Sequence, residues 1–173
     1  NDECYDAVVF CGNIKHLPAM VEGVDLTKYT AGINALEYHG TTSVFCEIDK
    51  NPYSWIYLPD NRYDSHRIIC TGNFAASNNV PGKMTATVEF TDEISKEEIL
   101  KQLGNIPMAP RYLDHYYNKY TYPIQDRNTR SMIAELKNYL SAKQFYFTGR
   151  FADWEYYNRD VAMGAASDMC KVL

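Results

Sequence analysis

The chain lacks any apolar run approaching the roughly 18 residues that a membrane-spanning helix needs, so no stretch reads as a transmembrane segment. It has no C-x-x-C pair. Its five cysteines (Cys4, Cys11, Cys46, Cys70, Cys170) are scattered and odd in number, which argues against disulfides or zinc and for buried free thiols. The four histidines, His16, His39, His66 and His115, stand alone without H-x-x-x-H spacing, and no metal centre is expected. Positive charge is in the minority: 17 Lys and Arg against 22 Asp and Glu give a net charge of −5, the wrong sign for a chain whose main partner is nucleic acid. The opening NDECYDAVV has no basic and apolar leader, so the expectation is a cytoplasmic protein or a piece of one. Also missing is a G-x-G-x-x-G turn, the glycine-rich loop that receives a dinucleotide's pyrophosphate.

What remains is enough for a core. At 173 residues and 46% hydrophobic the chain reads as a soluble domain, or one and a half. Its signature is tyrosine, 15 residues of it, each a packing surface with a hydroxyl at its tip. Tyr5 to Cys11 is a largely apolar run that predicts a buried strand feeding a turn at Gly12-Asn13. Met20 to Thr30 is irregular, with room for a short helix, and Ile33 to Ile48 is broadly β in character with a turn at His39-Gly40. Further strands are expected at Tyr53 to Leu58 and at His66 to Cys70. In Met84 to Phe90, apolar residues alternate with Thr85, Thr87 and Glu89, the period expected of one buried and one wetter face. Ser95-Lys96-Glu97-Glu98 is a capping box for a helix ending near Leu103. Pro110 to Ile124 is extended and tyrosine-rich. Asp126 or Asn128 can then cap a helix near 127–140 whose stripe of Met132, Ile133, Leu136, Tyr139 and Leu140 is core. The fold class these imply is α+β, a largely antiparallel or mixed sheet with a few helices.

The stretch FYFTGRFADWEYYNRDVAMGAA, Phe145 to Ala166, points to a site. A short β-prone run stops at Gly149-Arg150, crosses an aromatic loop with Trp154, Tyr156 and Tyr157, and enters a helix near Asn158 to Asp160. Ala162, Gly164, Ala165 and Ala166 would let a backbone or flat ligand come close. The planar cation of Arg150 suits a phosphate or carbonyl oxygen.

That order of residues resembles the closing flavin-binding segment of UDP-galactopyranose mutases and of the wider amine-oxidase-like flavoproteins. Tyr122-Pro123-Ile124-Gln125-Asp126, then a helix, then the strand ending Gly149-Arg150 is similar to the mutases' Tyr-Pro-Ile-Asn-Asp, helix and Gly-Arg. Arg67-Ile68-Ile69 is similar to their substrate-contacting strand, with Asn73-Phe74 in place of His-Phe. Asn158, Arg159 and Trp154 stand where the mutases carry aspartate, methionine and tyrosine.

The resemblance implies a substrate-binding sheet domain over 1–143 and the last strand, loop and helix of a flavin domain over 144–173. It implies Arg67, Tyr122, Tyr156 and Asn158 as substrate-binding residues, and Gly12, Gly149, Arg150, Arg159 and Asp160 as cofactor-binding residues. Because the dinucleotide turn is missing, the chain is expected to be the C-terminal part of a larger enzyme. The N-terminal Rossmann domain would be its partner, FAD would bind only the full-length protein, and this part alone would be inactive. The whole enzyme would be a flavin-dependent isomerase that interconverts UDP-galactopyranose and UDP-galactofuranose for cell-surface polysaccharide (lipopolysaccharide or capsule) biosynthesis. Two alternatives stay open: an FAD-dependent amine-oxidase-like or protoporphyrinogen-oxidase-like oxidoreductase, and a non-catalytic carbohydrate- or partner-binding module.

Overall fold

The computed structural model describes residues 3–173. In chain order its strands and α-helices are β1 (Val8–Phe10), α1 (Leu17–Met20), α2 (Thr27–Ala35), β2 (Tyr38–Ile48), β3 (Trp55–Tyr57), β4 (Ser65–Ile69), β5 (Met84–Thr91), α3 (Lys96–Leu103), β6 (Arg111–Pro123), α4 (Thr129–Ser141), β7 (Phe145–Phe147) and α5 (Arg159–Met169). The class is α+β, with a five-stranded sheet in the order β3-β4-β5-β2-β6 and a separate two-stranded one, β1-β7. The chain folds as two compact units, His39–Thr121 and the residues up to Tyr38 together with Tyr122–Leu173.

In the His39–Thr121 unit, β5 sits between antiparallel β2 and β4, with Val44 opposite Val88 and Val88 opposite Ile68. One face of these strands, with Ile99 and Leu103 of α3, forms a closed apolar core around Val44, Ile68, Met84, Ala86, Val88 and Phe90. The Ser95 hydroxyl accepts from the Glu98 N–H at 3.3 Å and starts α3 where the capping box places it.

The alternation in Met84 to Phe90 does not produce a wet face. Thr87 and Glu89 are buried too, because β5 is an inner strand whose second face is covered by neighbouring side chains. Nor do His39 and Gly40 turn the chain: both lie inside β2. Gly40 is there for a different reason, since the ring of Tyr117 lies where its Cβ would be. Gly40→Ala is therefore expected to cost about 1–3 kcal/mol by overpacking, read as a lower urea midpoint, and Tyr117→Ala in the same chain should relieve the clash.

In the second unit α4 packs against β7 of the β1-β7 pair, and α2 packs on α4. The core of this unit holds Ile14, Leu17, Ile33, Ile133, Leu136, Leu140, Phe147 and Trp154. The apolar stripe of α4 is core as read, with Met132 and Tyr139 at its margin. The Asp126 carboxylate caps this helix, accepting from the Asn128 N–H at 2.8 Å and the Thr129 N–H at 2.7 Å. Helix α2 replaces the β character expected from Ile33. Thr27, Thr30 and Ile33 have weak helix propensity, and the helix is held by burial of Tyr29 and Ile33 instead.

β1 is shorter than expected and not buried: Val8 and Val9 are 43% and 39% exposed. Only Phe10 turns inwards, its ring edge-on to Phe147 at 5.9 Å. The cysteines divide likewise. All are free, but only Cys46 and Cys70 are buried, whereas Cys4, Cys11 and Cys170 are exposed. Burial pushes the Cys46 thiol up to about 12, which makes it inert.

Candidate functional site

β1 and β7 run parallel, in the register Val8–Phe145, Val9–Tyr146, Phe10–Phe147. Both strands therefore end at the same level, and both end towards a glycine: Gly12 after β1 and Gly149 after β7. The Thr148 N–H donates to the Phe10 carbonyl at 3.2 Å and the Ile14 N–H to the Phe151 carbonyl at 3.0 Å, so the two chain exits stay side by side. Gly149 has φ +114°, a backbone that L side chains rarely adopt. The nearest atom to a Cβ built there is the Cys11 carbonyl oxygen, at 3.7 Å. Next to each glycine lies a buried polar atom with no partner among the described residues, Asn13 Nδ2 and Thr148 Oγ1.

After Gly149 the chain winds tightly. Its carbonyl accepts from the Ala152 and Asp153 N–H groups at 3.1 and 2.8 Å, and the Asp153 carboxylate accepts back from the Gly149 N–H at 3.2 Å. Asp153 is 4% exposed and is held by Lys137 Nζ of α4 at 2.5 Å and by the Tyr157 hydroxyl at 3.0 Å. Trp154 is wholly buried, donating from Nε1 to the Ile124 carbonyl at 3.1 Å. Its own carbonyl accepts from Gln125 and Arg130. Arg130 also donates to Gln125 Oε1 at 2.7 Å and pairs with Glu155 at 2.5 Å.

This frame holds three of the residues expected at the site against one another. The rings of Tyr122 and Tyr156 stack with centroids 5.7 Å apart and planes 14° from parallel. The Arg150 guanidinium lies 5.6 Å from the centre of the first ring and 5.1 Å from that of the second. Arg150 is fixed by donating through Nε and a terminal nitrogen to the Tyr157 carbonyl, the Nε bond being 2.9 Å. Tyr156 is 52% exposed, so the stack opens to the surface.

Asn158 is the extended residue before α5 and makes no side-chain cap bond, while Arg159 and Asp160 lie exposed in the first turn of that helix. No residue of α5 is buried. Arg67 belongs to the other unit. There it pairs with the Glu89 carboxylate and lies 4.9 Å from the Trp55 ring centre.

Sequence reading placed Asn13 and Gln125 in motifs without giving them a role, and missed the rest of the supporting layer, Arg130, Lys137, Thr148 and Asp153. Only Asp153 left a trace, a carboxylate four residues past a turn glycine, within reach of that glycine's N–H.

Burial and the neighbouring Asp153 carboxylate push the Tyr157 phenol up to about 12. Its folded value thus lies above the unfolded one of about 10, so its stabilisation is complete below that pH and is lost as pH rises towards the folded value. Tyr157→Phe should remove this alkaline loss and cost about 1–2 kcal/mol at neutral pH, measured by urea unfolding at neutral and alkaline pH.

No family model and no curated protein sequence matches the chain. Solved structures match it in shape. A reduced UDP-galactopyranose mutase superposes with a TM-score of 0.78 at 18% identity, over 91% of this chain and 38% of that one. A candidate protoporphyrinogen oxidase from Exiguobacterium sp. 255-15 gives 0.70 at 12% identity, over 96% and 40%. An oxidoreductase from Methanosarcina mazei gives 0.64 at 13% identity, over 96% and 43%. The chain spans about two fifths of the length of these structures. At such identities the likeness is one of fold. The chain shares its fold with part of each of these structures, whose names span a mutase and oxidoreductases. Among the described residues no helix is long and apolar enough to cross a membrane.

Proposed function

We propose that this chain supplies the substrate-side sheet and the closing strand, turn and helix of an FAD-dependent UDP-galactopyranose mutase-like enzyme, whose dinucleotide-binding Rossmann part lies in a separate domain. The observation that carries this reading is the parallel pair. Two parallel strands ending together on glycines, beside a fixed arginine, form the kind of edge at which α/β proteins receive ligands. The residues fit a flavin nucleotide. Gly149 leaves its strand end open to close approach, whereas the Phe10 ring fills the space beside Gly12, and Asn13 and Thr148 add unsatisfied buried polar atoms next to the two glycines.

On this reading Gly12, Gly149, Arg150, Arg159 and Asp160 hold the cofactor, which when bound supplies the covalent chemistry. The chain's own work is binding and orientation. Tyr122 and Tyr156 offer phenolic donors to an anionic diphosphate, Arg150 keeps their rings parallel, and Asn158 offers an amide at the start of α5. Arg67 is assigned to substrate on the sheet unit's own account.

The Arg67–Glu89 pair favours a second reading. A cation already neutralised by a buried carboxylate is a weaker diphosphate clamp, and an FAD-dependent oxidoreductase acting on an amine or alcohol needs none.

The experiment uses the whole enzyme. Its flavin content is measured after Arg150→Ala, and UDP-galactose affinity and ring interconversion after Arg67→Ala. The mutase reading expects flavin loss in the first and at least about tenfold weaker UDP-sugar binding in the second. Unchanged UDP-galactose handling together with substrate-driven flavin reduction selects the oxidoreductase. Full flavin retention by Arg150→Ala removes the cofactor assignment from this turn.

A further inference from the structure

A small-molecule-sized cleft in the unit that carries Arg150 lies away from that arginine. It lies between α2 and α4, with a volume of about 340 Å³, within the range of ligand pockets. Its floor is apolar, from Leu36, Ile124 and Met132. Gly32 of α2 lies on it, and a Cβ there would stand 3.4 Å from Met132 Cγ. None of the residues proposed for flavin or UDP-sugar lines it.

The polar groups around the cleft decide the sign of its ligand. An anion would need the free N–H groups at the start of α4, but the Asp126 carboxylate already takes the N–H groups of Asn128 and Thr129 and the Thr129 hydroxyl, the last at 2.7 Å. That carboxylate is offset by the helix end it caps. Across the cleft, the carbonyls at the end of α2 are taken by Lys15 Nζ, 2.7 Å from the Asn34 and Leu36 oxygens, so the charge of Lys15 is spent on that helix end. What is left over is Glu37. Glu37 lines the cleft, and its carboxylate has no hydrogen-bond or ion-pair partner among the described residues. Asn128, whose side chain makes no cap bond, lines the same cleft and carries an amide oxygen that could accept from an ammonium.

We propose that this cleft binds a small alkylammonium: an apolar stem on Leu36, Ile124 and Met132, with the ammonium head on Glu37 and the Asn128 amide. A neutral stem would gain only the floor, and a carboxylate head would meet Glu37 and Asp126 with like charge.

The test follows the Met132 methyl resonance during titration with n-hexylammonium, with hexanoate and n-hexanol as controls of the same length. Saturable shifts are expected for n-hexylammonium, about tenfold weaker binding for the alcohol, and none for hexanoate. Glu37→Gln, at an exposed position, should weaken n-hexylammonium binding about tenfold and leave hexanol unchanged. Equal binding of all three probes, indifference to Glu37→Gln, or no shift at all would each overturn the proposal. So would saturation of the Met132 shift by a lysine-rich peptide with no response to n-hexylammonium, which would make the cleft a protein-docking site.

Discussion

Replacing Trp154 with alanine is expected to cost about 3–5 kcal/mol, the usual range for truncating a large, fully buried aromatic. The indole is 0% exposed, meets the Phe151 ring edge-on at 5.4 Å, and supplies the N–H that satisfies the Ile124 carbonyl. Its removal opens a cavity and also orphans that carbonyl, so two penalties add. Trp154→Phe keeps most of the volume and loses only the hydrogen bond, which should cost about 1–2 kcal/mol. The chain has only two tryptophans, Trp55 and Trp154, one in each compact unit. A Trp55→Phe background therefore lets indole fluorescence follow one unit alone, while far-UV circular dichroism follows both. If Trp154→Ala shifted the urea midpoint no more than a surface substitution does, the indole would not be the keystone of the turn from Gly149 to Glu155.

The effect should reach the candidate site without touching it. Trp154 has φ +48°, a left-handed backbone rare for a bulky residue, and it is held there by the bonds its carbonyl accepts from Gln125 and Arg130. Those bonds set the path of Glu155 and Tyr156, and so the stack of Tyr156 on Tyr122 beside Arg150.

How far the sequence revealed this depends on where each element's information lies. The α3 capping box and the α4 stripe are local patterns, carried within eight and thirteen residues, and they appear where the pattern puts them. The run that ends at Gly149-Arg150 and the helix after Asn158 are legible for the same reason. Gly40 was misread because a glycine after a histidine looks like a turn, whereas its cause is Tyr117, far along the chain. β1 was misread as buried because an apolar run does not say how many of its faces are covered. In a two-stranded pair both strands are edges, and Val8 and Val9, which point to opposite faces, are each left partly exposed. The Asp153–Lys137 pair and the Arg130 bonds join residues 16 to 25 positions apart through backbone carbonyls and single charges, which no periodicity encodes.

Glu89→Ala should be the most costly single change in the sheet unit, about 3–5 kcal/mol, because it strips the carboxylate from an ion pair that is largely out of water. The side chains of Glu89 and Arg67 are 11% and 18% exposed, and His66 Nε2 approaches the same carboxylate at 3.6 Å. The cost is the stranded guanidinium rather than the worth of the pair, so the double change Arg67→Met, Glu89→Leu should recover most of it. Burial alone would raise the Glu89 carboxyl, but hydrogen bonds from His66 and Arg67 outweigh it and hold the group below the ordinary carboxylate range. A carboxylate depressed in the folded state stabilises above its unfolded pKa, about 4.3, and that contribution is lost as pH falls through the folded value. Urea unfolding across the acid range should therefore show a decline in the native chain that is shallower in Glu89→Gln. If Glu89→Ala and the double variant were equally unstable, the loss would come from packing on β5 and not from the exposed demand of Arg67. In the other outcome Arg67 is a cation whose charge is already spoken for.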